Sequence, residues 1–365
     1  MNRINELANF GQSVWIDYIE RSMIVTGKLQ DLIYSGIRGM TSNPTIFEKA
    51  IGGGGSDYDE DLMKLARQKL APKDIFEQLA LWDISHTADL FRPLYDRLHG
   101  HDGYISMEVR PGLAYDTAGT IQEASRLFKT LGRPNVMIKV PATDQGLPAI
   151  ESLTGQGVNV NITLLFSVDR YVDVVEAYMK GLEHLRSSGG DISRVHSVAS
   201  FFVSRVDTAA DTVLERSGHP ELKGKLAIAN AKIAYSRFRK LFSGDRWKNL
   251  EKRGARVQRV LWASTSTKNP AYPDTFYVDG LIGDHTINTM PLPTLEAFLD
   301  HGTVSPTLES DLDEAEAAVK SLPNLGISLD GITKTLEKEG VESFAASFEK
   351  LLEKISEKAG KPLPE

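Results

Sequence analysis

The chain has no cysteine, which excludes thiol nucleophiles, disulfides and thiolate-bound metals. It has no apolar run approaching the ~18 residues of a membrane-spanning helix. Its opening segment, Met1-Asn2-Arg3-Ile4-Asn5-Glu6-Leu7, lacks the apolar core of a secretory signal. It also has no excess of positive charge: 42 Lys and Arg against 49 Asp and Glu give a net charge of −7, with the two signs interspersed. That balance argues against nucleic acid and membrane surfaces as partners. No G-x-G-x-x-G or G-x-x-x-x-G-K-[ST] follows a candidate strand, so nucleotide binding is disfavoured. The eight histidines supply no pair at ligand-like spacing. His99 and His101 flank Gly100 in a polar loop, and His196 opens a strand as a structural residue, so no metal is expected. No internal repeat of fixed period is visible. These absences leave a soluble, cytoplasmic protein as the expectation.

What is present is enough for a large core: 365 residues, 41% of them hydrophobic. Eight short apolar or alternating runs, at 13–18, 36–41, 103–109, 136–140, 157–166, 196–202, 259–264 and 286–290, are separated by amphipathic stretches such as 56–70, 74–99, 118–131, 169–187, 224–241 and 292–301. Eight alternations of strand and helix predict an α/β fold with a parallel sheet closed into a (β/α)8 TIM barrel, an open doubly wound sheet being the alternative. Residues 1–365 are expected to form one barrel domain. Residues 305–365 would add C-terminal helices packed on it, because their apolar residues recur at helical spacing (Leu312, Ala315, Val319; Val341, Phe344, Phe348, Leu351, Leu352, Ile355). The run Gly52-Gly53-Gly54-Gly55-Ser56 predicts a flexible loop.

One residue is out of keeping with its surroundings. Lys139 lies inside Asn135-Val136-Met137-Ile138-Lys139-Val140-Pro141-Ala142-Thr143, a run with the composition of a fully buried strand. Lysine is rarely buried unless paired or functional. Desolvation favours the neutral amine, which can attack a carbonyl carbon. For a lysine considered alone the commoner outcome is a stem along apolar surface with its charge in water. The other strand ends shift the balance. In a barrel, catalytic groups project from the carboxyl ends of strands, and here those ends are polar one after another. Asp17 closes the first strand, where a carboxylate capping backbone amides is the plain alternative. Asn43 follows the second, in an Asn-Pro turn it could simply be making. Glu108 closes the third, sharing a face with Ser106 by alternation. Asn159, Asn161 and Thr163 share one face of the fifth, costly in a buried strand unless they bond one another or a ligand. Ser200 and Arg205 follow on the sixth, and arginine suits phosphate. Ser264-Thr265-Ser266-Thr267-Lys268 ends the seventh with hydroxyls and a lysine, a candidate oxyanion site.

Four of these segments, in this order, resemble the transaldolase family: Gly39-Met40-Thr41-Ser42-Asn43-Pro44-Thr45-Ile46-Phe47, Met137-Ile138-Lys139-Val140-Pro141-Ala142-Thr143, Asn159-Val160-Asn161-Ile162-Thr163-Leu164-Leu165-Phe166-Ser167 and Ser200-Phe201-Phe202-Val203-Ser204-Arg205. The length, the glycine-rich insertion and the helical tail resemble a longer bacterial branch. The resemblance implies a Schiff-base enzyme of the non-oxidative pentose phosphate pathway. Such an enzyme moves a dihydroxyacetone unit from sedoheptulose 7-phosphate to glyceraldehyde 3-phosphate, giving erythrose 4-phosphate and fructose 6-phosphate. It implies Lys139 as the Schiff-base lysine and Asp17 as the base at the donor's C4 hydroxyl. Glu108 and Thr163 would be the pair handling a catalytic water. Asn43, Asn161 and Ser200 would bond donor hydroxyls, and Arg205 would bind phosphate. It implies no cofactor and sugar phosphates as partners, and it leaves room for a homodimer. Where many members carry Ala-Ser-Phe-Arg-Asn after the seventh strand, this chain has Lys268 and two extra residues, so Lys268 stands as the counterpart of that arginine without its bidentate fork. The nearest competing reading is a related aldolase that releases dihydroxyacetone to water. A barrel kept only as a binding scaffold is the non-enzymatic one.

Overall fold

The computed structural model describes residues 2–53 and 55–360. Its centre is a closed barrel of eight parallel strands in sequential order: β1 (Gln12–Asp17), β2 (Gly39–Thr41), β3 (Tyr104–Glu108), β4 (Val136–Pro141), β5 (Val160–Leu165), β6 (Ser197–Phe202), β7 (Arg259–Ala263) and β8 (Thr286–Met290), with β8 pairing back to β1. The eight expected strands are these eight, most of them with shorter or shifted ends. The second begins at Gly39 rather than Gly36, because Gly36 closes the helix Lys28–Ser35 in the left-handed conformation (φ 118°), which extended backbone cannot include. Each strand is followed by a helix or helices on the outside, as a parallel sheet requires.

Alternation along the strands sets the interior. On β4, Val136, Ile138 and Val140 are fully buried and form the opposite face from Lys139, toward the surrounding helices. Burial of each contributes about 1.5–3 kcal/mol. Trp15 is buried on the inner face of β1, and Gly39 passes directly over it: a Cβ there would stand 2.4 Å from the indole. Glycine at that point is a packing requirement. The indole nitrogen donates to Asp102 at 2.9 Å, and Asp102 also accepts from Ser13 and Arg259, so the lower interior is tied by a buried polar network rather than by apolar contact alone.

The expected tail helices are present as Leu312–Ser321 and Leu329–Ala359. The second runs across the helices Pro44–Gly52, Asp59–Arg67, Pro72–Arg97 and Ser204–Arg216. Phe348 meets Phe76 edge-on, and Phe76 meets Phe47 in the same way, while Lys354 pairs with Glu48 and Lys358 with Asp59. The glycine-rich run departs from expectation at its start. Gly52 belongs to the helix Pro44–Gly52 and packs on Lys354, where a Cβ would stand 2.3 Å from Cδ. Gly54 lies outside the described residues, as do 361–365 of the tail. Among the described residues no helix is long and apolar enough to cross a membrane.

Candidate active site

At the carboxyl end of the barrel, a cavity of about 320 Å³ is lined by Asp17, Asn43, Lys139, Thr163, Ser200, Arg205 and Lys268, together with Thr41, Lys49, Thr289 and Phe344. Seven of the nine residues to which the family resemblance assigns a role therefore face one space. The other two, Glu108 and Asn161, sit against its floor: Glu108 beside Lys139, and Asn161 bonded to Ser200.

Lys139 is 4% exposed, and its ammonium donates to the carbonyl of Ser42 at 3.0 Å and lies 3.4 Å from Glu108 Oε2. The carbonyl belongs to the turn between β2 and the helix Pro44–Gly52. Asn43 makes that turn by capping the helix, its side chain accepting from the Ile46 N–H at 3.0 Å, and it also lines the cavity. The two readings of Asn43 hold together.

The two carboxylates have different surroundings. Asp17 Oδ1 accepts from Thr41 at 2.6 Å, and Thr41 in turn bonds Thr289 at 2.8 Å. Burial raises the Asp17 pKa above the usual carboxylate range, opposed by Lys139, by the Thr41 bond, and by Arg205 and Lys268. Glu108 is pushed up to about 7 by burial, with Lys139 opposing and Asp17 adding to the rise. Near neutral pH it can give or take a proton. Glu108 Oε2 is buried with only the Lys139 ammonium beside it, and buried Thr163 Oγ1 makes no hydrogen bond within the described residues. Such orphaned groups are rare and point to chemistry or a bound molecule.

Below them, Ser200 donates to Asn161 Oδ1 at 2.7 Å and Asn161 donates to Ser106 at 2.9 Å, a chain linking β6, β5 and β3. Asn159 does not join it. It precedes β5 at the amino end, donating to the carbonyls of Pro134 and Val136 and accepting from the His196 N–H. The sequence pattern gave these asparagines one face, but it carried no signal of depth along the barrel axis. Immediately after Thr163 the strand is irregular. Leu164 takes a left-handed φ of 57°, and the register with β6 shifts between Ile162 and Leu165, a bulge of the kind that re-aims side chains beside active sites.

A cationic side completes the cavity. Arg205 lies in the first turn of the helix Ser204–Arg216, with its guanidinium 5.4 Å from the Phe202 ring. Its pKa is lowered by burial. Lys268 enters from the loop after β7, donating to Ser266 at 2.7 Å, and its pKa is lowered by burial and then by Arg205 and Lys49. Within the described residues no carboxylate pairs with Arg205, Lys268 or Lys49. Three cations sharing one wall make a ready anion site. Lys49 and Phe344 went unread in the sequence: a lysine on an exposed helix face and an aromatic at core spacing carry no local mark of a cavity. Thr41 was legible, a hydroxyl two residues before Asn43. Among the described residues no group of three or more His, Asp or Glu is placed to hold a metal.

Residues 14–355 match the family model described as transaldolase/fructose-6-phosphate aldolase. The chain is 44% identical to a transaldolase of Trichodesmium erythraeum over 377 aligned residues, covering 100% of this chain and 99% of the relative. It is 46% identical to transaldolases of Saccharopolyspora erythraea (98% and 97% covered) and of a Parafrankia species (98% and 98% covered).

Proposed function

The chain belongs to the transaldolase/fructose-6-phosphate aldolase family, and from that premise we propose that it transfers a dihydroxyacetone unit between sugar phosphates through a Schiff base on Lys139. The observation that carries this reading is a buried primary amine at a barrel's carboxyl end, within 3.4 Å of one carboxylate and facing the same cavity as another.

The steps follow from the groups. Lys139 passes an ammonium proton to the Glu108 carboxylate 3.4 Å away and attacks C2 of the ketose donor, and the carbinolamine, protonated on its hydroxyl, loses water to give a protonated imine. Glu108 and Thr163 exchange protons with that water, which suits a carboxyl poised about pH 7 and a hydroxyl without another partner. Asp17 takes the proton of the C4 hydroxyl as the C3–C4 bond breaks, and the imine accepts the electron pair as an enamine, so no cofactor is needed. The aldose leaves. The enamine carbon attacks the acceptor's aldehyde, Asp17 returns its proton to the new hydroxyl, and water releases the product ketose. Asn43, Asn161 and Ser200 bond donor hydroxyls. Arg205, Lys49 and Lys268 hold the phosphate, so that binding energy remote from the reaction orients the breaking bond. Sedoheptulose 7-phosphate and glyceraldehyde 3-phosphate are the substrates the resemblance implies, in a cytoplasmic setting.

The family's description pairs two activities, so the test must separate them. Fructose 6-phosphate is added, the imine is reduced with borohydride, and peptides are mapped by mass with and without erythrose 4-phosphate. A three-carbon adduct on Lys139 that declines when the acceptor is present is the expected result. An adduct indifferent to acceptor, with free dihydroxyacetone accumulating, would assign the aldolase reaction instead. Turnover by Lys139→Ala would remove the mechanism altogether.

A further inference from the structure

A second cavity, of about 400 Å³, opens at the amino end of the barrel between the loops entering β3, β6, β7 and β8. Trp15, Met137, Val198 and Ile287 line it. These lie two residues before Asp17, Lys139, Ser200 and Thr289 on the same strands, so one apolar layer of the barrel interior has a cavity on each side.

The amino end of a barrel ordinarily serves stability, but this cavity presents buried polar groups with nothing to bond. His196 is 8% exposed, and among the described residues neither of its ring nitrogens has a protein hydrogen bond. Arg259 is 5% exposed; its two terminal nitrogens bond His101, Asp102, Ser13 and Thr286, while Nε bonds nothing. The guanidinium of Arg256, on the cavity's rim, has no hydrogen bond or ion pair among the described residues. Burial of His196, and after it the Arg256 and His101 charges, hold its ring down at about 4, so that the ring is a neutral donor. The lining holds one carboxylate, Glu251. Asp102, behind it, is already engaged by Arg259. The stacked rings of Trp15 and Tyr104 back the lining and are themselves fully buried.

We propose that this amino-end cavity binds a small phosphate monoester, its phosphate held between the Arg256 guanidinium on the rim and the His196 ring. Arginine with neutral N–H donors matches a phosphate group, and the volume suits a small metabolite. The site is separate from the catalytic one, and its occupation does not depend on the reaction proposed above.

The test uses the full chain carrying Arg205→Ala, which weakens the catalytic-end anion site. Inorganic phosphate and then glycerol 2-phosphate are titrated while histidine side-chain nitrogen resonances and heats of binding are recorded. Both probes are expected to shift the His196 resonances saturably, at one site per chain. Adding Arg256→Ala should weaken binding about tenfold or more, the loss of one charge-assisted hydrogen bond. Arg256→Gln, which keeps the stem, serves if the alanine variant does not fold. In the otherwise natural chain, Arg256→Ala should leave turnover unchanged in phosphate-free buffer. Silent His196 resonances in a folded protein overturn the proposal, as does binding indifferent to Arg256 or abolished by Arg205→Ala alone. Binding of phosphate with exclusion of the monoester overturns the ligand assignment.

Discussion

Glu108 and Lys139 are register partners on adjacent strands, with Glu108 Oε2 3.4 Å from the Lys139 ammonium. Proton traffic between them needs no chain movement, and the pairing survives only while both strands keep register. That makes Glu108 the residue whose replacement reports most directly on the proposed chemistry.

Glu108→Gln should lower kcat by about 10²–10⁴, the usual range for a lost general acid or base. The limb of the pH–rate profile near 7 should disappear with it, because that limb belongs to the Glu108 carboxyl. Stability carries a second signature. The carboxyl is raised to about 7 in the fold from an ordinary 4.5, so the native state holds the extra proton in that window. Its contribution is full below about 4.5 and is lost as pH rises through 7. Urea unfolding at several pH values should show this slope in the natural protein and not in the variant.

Thr41→Val removes the hydrogen bond that lowers the Asp17 pKa. Asp17 must be ionised to take the C4 proton, so the acid limb of the kcat profile should move to higher pH and kcat at neutral pH should fall roughly tenfold. Thr289 loses its partner as well, and the melt should show a cost of about 1–2 kcal/mol. An unmoved acid limb would detach Asp17 from the role of base.

Arg205→Ala should reduce kcat/KM for a phosphorylated donor by about 10- to 100-fold, the worth of charge-assisted phosphate bonds, while leaving an unphosphorylated ketose little affected. Lys268→Ala and Lys49→Ala should do the same to a smaller degree, since each of these ammonium groups is a point charge rather than a fork. Equal losses on both donors would place these side chains outside the phosphate site.

Phe344→Ala tests the tail. The ring is 4% exposed and walls the cavity, so its truncation should cost about 3 kcal/mol, near the lower end for a buried phenylalanine. It should raise KM while the Lys139 adduct still forms at saturating donor. Denaturation midpoints and borohydride trapping measure the two effects separately.

Most of the barrel and much of the site were legible because each rests on a local pattern. Short apolar runs between amphipathic ones mark strands and helices, and a polar residue closing such a run marks the mouth. Lys139 stood out because it broke its own pattern. What stayed hidden depends on distant chain. Phe344 reads as core until the helix Leu329–Ala359 is laid over the mouth, and Lys49 reads as an exposed helix residue until Arg205 and Lys268 arrive beside it. The histidines looked uninformative because His101, His196 and His285 are scattered in sequence, yet three separate loops bring them to one cavity.

The bond between Thr41 and Thr289 spans 248 residues and crosses the seam where β8 returns to β1. Contacts of such separation form late, since the entropy of closing the intervening chain comes before any reward. Asp17 takes its hydrogen bond from Thr41, only 24 residues away on the neighbouring strand, and so does not wait for the seam. A refolding chain would therefore acquire its secondary structure, Asp17 on Thr41 and Lys139 beside Glu108 before Thr289 arrives to complete the cavity wall. Recovery of turnover becomes a clock for ring closure, running with the slowest phase of refolding rather than with the return of helix.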